Sequence, residues 1–273
     1  MTKTKIIYVS LFFALMNFTT TARDRDTRFS KGMILITGGI YKSLYGSKNN
    51  PLNVKVAPFY IDKYPVTNAE YLEFVKEIPQ WRRSKVKRLF ADSNYLKNWK
   101  SDLELGNDVL PNAPVTDVSW FAAKAYCEYH DKRLPTVAEW ELVGGASPHN
   151  ADGYKDPNYI KQILEWYSKP TPEILPPIGQ TEKNYWGVYD MHGLVWEWTS
   201  DFFSALVTGE SRNDSGLERN LFCGSGSVSA TDFKNYPAFM RFAFRSSLKA
   251  NYTTANLGFR CAKDFDKGEK NEK

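Results

Sequence analysis

The chain has 273 residues, 42% of them hydrophobic and 15% aromatic, so it can bury a substantial core in one or at most two domains. Its formal net charge is +5, and two of its lysines lie within the first 22 residues. The remaining positive excess is too small to indicate a nucleic-acid partner.

The N-terminal 22 residues have the three-part organisation of a secretory signal. Two lysines precede an apolar stretch, residues 6–18, and the small residues 20–22 follow it. This stretch is shorter than the about 20 residues that a membrane-spanning helix needs, and an uncleaved anchor is the alternative. We therefore expect residues 1–22 to be cleaved as a signal peptide. The mature protein is then periplasmic or secreted, with no stable membrane insertion.

The first elements of the mature chain are strands and a short helix. Residues 33–46 (MILITGGIYKSLYG) and 54–62 (VKVAPFYID) predict strands and turns. Thr67, with Glu70 three residues later, predicts a capping box at the start of a helix whose apolar face includes Phe74.

Three further segments lie between this helix and the second half of the chain. The basic run 81–90 (WRRSKVKRLF) predicts a solvated helix face, with a patch for an acidic partner as the alternative. Ser119 predicts the N-cap of a second helix. Thr136 with Glu139 predicts another capping box, in a helix that ends at a pair of glycines. From residue 146 onward, Asn, Asp, Gly and Pro separate short aromatic runs, which predicts loop-rich structure.

No internal repeat divides the chain. We expect residues 23–31 to be a linker, residues 32–265 to form one domain of short helices, short strands and irregular backbone, and residues 266–273 to be a charged, frayed tail.

The chain contains three cysteines, Cys127, Cys223 and Cys261. An oxidising compartment permits disulfides, and one cysteine is left over whichever pair forms. No two of them have the close spacing of a zinc site or of a redox CxxC motif, so neither kind of site is expected.

The three histidines, His130, His149 and His192, do not have HExxH spacing. Each is expected to be a surface residue or a hydrogen-bonded polar residue. The sequence also lacks the GxSxG motif of a hydrolase and a glycine-rich phosphate loop, so neither function is indicated.

The segment GVYDMHGLVWEWTSD, residues 187–201, concentrates aromatic residues, glycines and carboxylates. Its part from Asp190 to Glu197 is called the acidic turn. Calcium takes about six to eight oxygen ligands, which the Asp190 and Glu197 carboxylates and the carbonyls of Gly193 and Val195 can supply. The alternating Val-Trp-Glu-Trp residues also fit a half-buried strand whose acids face water.

Four stretches resemble successive signatures of the formylglycine-generating enzyme (sulfatase-modifying factor) family. They are FYIDKYPVTNAEYLEFV, APVTDVSWFAAKAYCEYHDKRLPTVAEWE, PIGQTEKNYWGVYDMHGLVWEWTSD and FRSSLKANYTTANLGFRCAKD. Their order and spacing match over residues 32–264. The resemblance implies a single α+β domain with the irregular fold of this family, which is related to the C-type lectin fold.

The resemblance also implies two structural features. Cys127 and Cys261 match the positions of a disulfide in similar members. Four residues of the acidic turn match calcium ligands: Asp190, Gly193, Val195 and Glu197. A structural calcium ion is therefore expected, although Leu194 stands where the family usually has asparagine. Residues 163–180 lack the pattern of the second calcium site that some members have.

The catalytic feature of the family is not matched. Its enzymes use two cysteines that bind copper and oxidise a substrate cysteine with oxygen. Counted back from the NLGFRC motif, these positions fall on Asp232 and Pro237. Neither is a thiol, and Cu(I) prefers soft thiolate ligands, so copper is not expected. Cys223 is a candidate reactive thiol, with an inert free or buried cysteine as the alternative.

The resemblance without the cysteine pair predicts an exported, non-catalytic protein that acts as a binding or accessory module. Its partner would be another exported protein or a peptide segment, or else a glycan. The alternative is a formylglycine-generating oxidase that converts the cysteine of a sulfatase Cys-x-Pro-x-Arg segment. A third hypothesis, an iron-dependent sulfoxide-forming oxidase, requires three clustered histidines.

Overall fold

The structure is a computed structural model in which residues 32–43, 53–202 and 235–266 are described. The predicted signal peptide and linker, together with Cys223 and Asp232, lie outside these residues. Across the described ranges, no helix combines the length and the apolar composition that crossing a membrane requires.

Three short antiparallel strands form the main sheet and bring together the two ends of the described chain. Strands β1 (Met33–Ile36) and β7 (Ala262–Asp264) both pair with β4 (Phe59–Asp62), in the order β1-β4-β7. Ile61 is in register with Ala262, and both side chains are buried. The alternating burial along β4 is the period-two pattern of a strand with one face on the core.

Two further pairs of strands complete the β-structure. Strand β2 (Gly39–Lys42) pairs antiparallel with β3 (Asn53–Val56). Strand β5 (Trp196–Glu197), from the acidic turn, pairs in parallel with β6 (Leu257–Gly258). This corrects the expectation of a half-buried strand with outward acids, because β5 has only two residues and the Glu197 side chain is buried.

Three helices begin at the caps that the sequence predicts. In α1 (Asn68–Glu77) and α3 (Val137–Gly144), the threonine before the helix and the glutamate at its third position accept hydrogen bonds from each other's backbone N–H. Helix α2 (Trp120–Tyr129) begins after Ser119, whose hydroxyl accepts a bond from the Ala122 backbone. These caps satisfy N–H groups that the first turn leaves without a partner, and they confirm the predicted starts.

Two longer helices correct the prediction of loop-rich structure after residue 145. Helix α4 (Pro157–Tyr167) begins after Asp156, and α5 (Tyr236–Ser246) begins after Asn235. Both caps accept a backbone hydrogen bond, and each helix has a proline in its first turn.

The basic run 81–90 does not form the helix that was predicted for it. It forms turns after a single 3-10 turn, and two of its arginines donate to backbone carbonyls outside the run.

The helices and strands enclose two groups of buried apolar side chains within one compact unit. The smaller group lies between the strands and α3, and the larger one surrounds α1 and α2. The bulkiest fully buried members of the larger group are aromatic: Trp99, Trp198, Tyr71, Tyr95, Phe74 and Phe259. The mixture of helices and strands within one compact unit confirms a single α+β domain.

The expected disulfide is present and joins α2 to the residue before β7. Cys127 and Cys261 are both completely buried in the larger core, 134 residues apart in the chain. The Cys261 backbone N–H donates to the Asp62 carboxylate at 2.9 Å, and Lys132 Nζ donates to the same carboxylate at 2.6 Å. The disulfide and these bonds therefore fix the end of α2 against the main sheet.

Candidate functional site

A cavity of about 450 Å³ is lined by α4, α5 and the acidic turn. Its walls include the aromatic side chains of Trp166 and Tyr167 from α4, Trp196 from the acidic turn and Phe244 from α5. The Trp196 ring stacks on Phe244 with 4.5 Å between centroids, and Tyr167 lies 4.8 Å from Trp196. Concave sites with apolar walls and a few polar groups are typical of ligand binding.

Two buried arginines also line this cavity. Arg241 and Arg245, one turn apart on α5, share a single carboxylate, that of Glu141 on α3. Glu141 Oε1 accepts from Arg241 Nε at 2.9 Å and from Arg245 Nη1 at 2.6 Å, and Oε2 accepts from Arg241 Nη2 at 2.6 Å. None of the three residues is more than 5% exposed. They are called the arginine cluster.

The arginine cluster holds more positive than negative charge. Burial by itself would raise the pKa of Glu141, but the two guanidinium groups outweigh it and lower that pKa to about 2. Burial raises the pKa of Tyr154 and Tyr167, whose hydroxyl groups contact Arg241, so both phenols are neutral. At neutral pH two guanidinium charges therefore face one carboxylate charge.

His192 lies beside the cluster as a buried, neutral side chain. Its Nε2 is 2.7 Å from the Gly144 carbonyl, and its Nδ1 is 2.9 Å from the Tyr167 hydroxyl. A carbonyl can only accept, so Nε2 carries the proton and Tyr167 donates to Nδ1. Burial, with a smaller contribution from the Arg241 charge, lowers the pKa of His192 to about 3. This histidine is the hydrogen-bonded polar residue that the sequence predicts.

The carboxylate of Glu197, at the end of the acidic turn, is bound to a cation of the protein. Its oxygens accept bonds of 2.8–3.0 Å from Arg260 Nε and Nη2, and Trp140 Nε1 donates to it at 2.7 Å. The side chains of Glu197 and Arg260 are both 0% exposed. A second cation on this carboxylate would be repelled by the guanidinium.

The other residues of the acidic turn have separate surroundings. The Asp190 carboxylate accepts bonds from the Gly179 and Thr181 backbones and from the Thr181 hydroxyl, while Gly193 and Val195 line the cavity. As placed, the two carboxylates bind protein donors and do not fit a calcium ion held by both. The calcium site stays a prediction from the resemblance. Over the described ranges, no three or more His, Cys, Asp or Glu side chains form a metal-binding group.

Pro237, which the motif spacing matches to the second family cysteine, lies at the start of α5. Pro237 is buried in the first helical turn, where its ring offers no metal ligand. The first position, Asp232, lies outside the described residues, as does Cys223. Two of the three cysteines in the sequence form the disulfide, so the chain retains one thiol at most.

One buried acid was not expected from the sequence. Asp117 is completely buried, and neither carboxylate oxygen has a hydrogen-bond partner in the part of the chain that is described. Burial raises its pKa from 3.8 to about 6, against a smaller lowering effect of Lys97. The φ of Asp117 is 55°, in the left-handed region. Asp and Asn adopt this region more readily than other side chains, apart from glycine.

The arginine cluster was likewise not expected from the sequence. Its members become neighbours only when α5 packs near α3, and α5 was not predicted. The only local signal is the spacing of four between Arg241 and Arg245, which places both on one face of a helix.

Comparisons with known proteins agree with the sequence motifs. A family model described as "Sulfatase-modifying factor enzyme 1-like domain" matches residues 18–265. The chain is 30% identical to a formylglycine-generating enzyme of Streptomyces coelicolor, over 90% of this chain and 92% of the relative. It is 28% identical to an inactive C-alpha-formylglycine-generating enzyme 2 of Bos taurus, over 77% of this chain and 78% of the relative. The solved structure of PvdO from Pseudomonas aeruginosa is 18% identical, covers 85% of this chain and 94% of that one, and has a TM-score of 0.49. The chain therefore belongs to the sulfatase-modifying factor enzyme 1-like family.

Proposed function

We propose that this protein is an exported, non-catalytic member of its family that acts as a binding or accessory module for another exported protein. The observation that carries the proposal is the number of thiols. Cys127 and Cys261 are joined in the disulfide, so only Cys223 is left among three cysteines. A copper site built from two thiolates cannot form from one cysteine. The metal that would oxidise a substrate cysteine therefore has no such site.

The surroundings of α5 support the same proposal. Pro237 stands at one of the two family cysteine positions and is packed into the helix start. Further along the same helix, Arg241, Phe244 and Arg245 contribute to the cavity wall. The described residues give this cavity aromatic and cationic walls and no thiol, which suits binding better than redox chemistry.

Export rests on the N-terminal signal and on the disulfide. Residues 1–22 have the organisation of a cleaved leader, which directs the protein to the periplasm or out of the cell. The buried Cys127–Cys261 bond is of the kind that forms and persists in oxidising compartments.

A partner can be identified by crosslinking the tagged mature protein in its native envelope and identifying the captured proteins by mass spectrometry. We expect one dominant exported protein that is absent from a parallel capture with an unrelated exported protein carrying the same tag. Capture of no protein, with binding to a glycan array instead, would contradict a protein partner and support the glycan alternative.

The alternative function is a formylglycine-generating oxidase, which the Streptomyces coelicolor relative favours because the match covers nearly the whole chain. The mature protein is incubated with a Cys-x-Pro-x-Arg peptide, copper and oxygen, and the peptide mass is measured. We expect no change. Conversion of the cysteine to formylglycine by the wild-type protein but not by Cys223→Ser would overturn the proposal. Stoichiometric iron in the purified protein would instead favour the sulfoxide-forming hypothesis.

A further inference from the structure

We infer that the cavity lined by α4, α5 and the acidic turn binds a carboxylate of its peptide ligand, with Arg245 as the group that holds it. The inference rests on the proposed function, because it names the chemistry of the segment that the binding module would recognise.

The two arginines of the cluster differ in the donors they have left. Arg241 donates to Glu141 through Nε and Nη2, and its remaining bonds go to the hydroxyl groups of Tyr167 and Tyr154. Arg245 donates to Glu141 through Nη1 alone, and the described residues provide no partner for its Nε and Nη2. Among the described residues, two N–H-bearing nitrogens of Arg245 are therefore left for a ligand.

Arg245 is also held in place. It is 5% exposed and lines the cavity, and its guanidinium carbon lies 4.9 Å from the centroid of the Trp140 ring. Stacking on an aromatic face and the ion pair with Glu141 fix the plane of the guanidinium. A planar group fixed in this way loses little side-chain entropy when it binds a carboxylate, whose geometry matches its fork of donors.

The other charged groups that the described residues place around the cavity leave it positive. Glu197 is neutralised by the Arg260 guanidinium, and Glu141 is shared between two arginines. Lys169, which is exposed, adds a further positive charge among the lining residues. An anionic group would complement this charge, whereas a cationic one would be repelled.

The aromatic walls define what should lie next to the carboxylate. Trp166, Trp196 and Phe244 line the same cavity as Arg245. Their rings can cover the apolar side chain of a neighbouring residue, which contributes to binding through buried apolar area. The expected ligand is therefore a segment in which a carboxylate stands beside an aromatic or large apolar residue.

The test compares matched acids and amides by calorimetric titration of the full mature chain. N-acetyltryptophan and N-acetyltryptophanamide differ only in the terminal carboxylate, and the peptides Ac-Trp-Glu-NH2 and Ac-Trp-Gln-NH2 differ only in a side-chain carboxylate. We expect the acid of at least one pair to bind about tenfold more tightly than its amide, as for a charge-assisted hydrogen bond. A preference confined to the first pair assigns a C-terminal carboxylate, and one in the second pair assigns an acidic side chain.

Two variants separate the role of Arg245 from general charge. Arg245→Gln should remove the preference for the acid, because Nε and Nη2 are lost as charged donors. Lys161→Gln makes the same change of charge on an α4 side chain that is 77% exposed and is not among the lining residues, and it should keep the preference. The comparison within the wild-type protein remains decisive should Arg245→Gln fail to fold.

Equal binding of acid and amide in both pairs, or no binding of any probe, would overturn the inference. A folded Arg245→Gln protein that still prefers the acid would do the same. These results are distinguishable from failure of the proposed function. If the Arg245→Gln protein still captures an exported partner with wild-type affinity, the carboxylate site is rejected and the binding module is retained. If the protein produces formylglycine, the non-catalytic function is rejected, even if the acid probes bind.

Discussion

Replacing Asp117 with asparagine should stabilise the protein at neutral pH. The carboxylate is completely buried, and none of the described residues donates a hydrogen bond to it. A buried charge without a partner is unfavourable, so the folded state prefers the protonated acid, with a pKa raised from 3.8 to about 6. Asparagine has no charge to bury and tolerates the left-handed φ of 55° at this position.

The size and sign of the effect follow from the proton linkage. The folded protein binds this proton more tightly than the unfolded chain, so the contribution of Asp117 is most favourable below pH 4 and is lost as the pH rises through 6. A shift of about two pKa units corresponds to roughly 3 kcal/mol as an upper figure. We expect Asp117→Asn to raise the free energy of unfolding by about 1–3 kcal/mol at pH 7.5 and to bring little gain at pH 4.

Urea unfolding followed by tryptophan fluorescence measures this difference at both pH values. Asp131→Asn is the matched control, because Asp131 has a φ of 54° and an exposed side chain. It undergoes the same chemical change in a similar backbone conformation, and its stability should change by less than about 0.5 kcal/mol. A destabilised Asp117→Asn protein at pH 7.5, or a gain that is the same at both pH values, would refute the reasoning.

Three further predictions concern the disulfide, the arginine cluster and the acidic turn. Reducing the Cys127–Cys261 bond should lower the free energy of unfolding by up to about 5 kcal/mol, because the bond closes a segment of 134 residues; urea unfolding that is unchanged by reductant would contradict this. Glu141→Gln leaves two buried guanidinium groups without their carboxylate and should lower the free energy of unfolding by about 3–5 kcal/mol in the same assay. The control Glu104→Gln breaks an exposed ion pair and should lower it by less than about 1 kcal/mol. Chelation of calcium should change the midpoint of thermal unfolding by less than about 2 °C, since both carboxylates of the acidic turn bind protein donors. A larger fall in the midpoint that added calcium reverses would establish the predicted calcium site.

The parts of the fold that the sequence predicted depend on neighbouring residues. The starts of α1, α2 and α3 follow from caps that lie within three residues of the helix, and these predictions were correct. Helix α5 has a comparable signal, with Asn235 before it and Pro237 in its first turn. The Asn, Asp, Gly and Pro residues that separate short aromatic runs in this half of the chain predict loops instead.

The parts of the site that the sequence did not predict depend on distant residues. Glu141 and Arg241 are 100 residues apart in the chain, and no periodicity or motif connects them. Arg260 belongs to the NLGFRC motif, and Glu197 is one of the expected calcium ligands. That these two side chains pair with each other becomes visible only in the three-dimensional structure. Charge compensation between distant segments is therefore the information that a single sequence does not contain.

The pairing of β4 with β7 sets the order in which the chain can fold. Ile61 and Ala262 are neighbours in the sheet although about two hundred residues separate them, and such non-local pairing makes folding slow. The same C-terminal segment supplies Arg260 to Glu197 and Cys261 to the disulfide. If the chain crosses the membrane in extended form during the proposed export, it lacks β7, the Glu197–Arg260 ion pair and the disulfide until its C-terminal segment has emerged. Completion of the native state is thereby delayed until the whole chain has reached the compartment in which the disulfide can form.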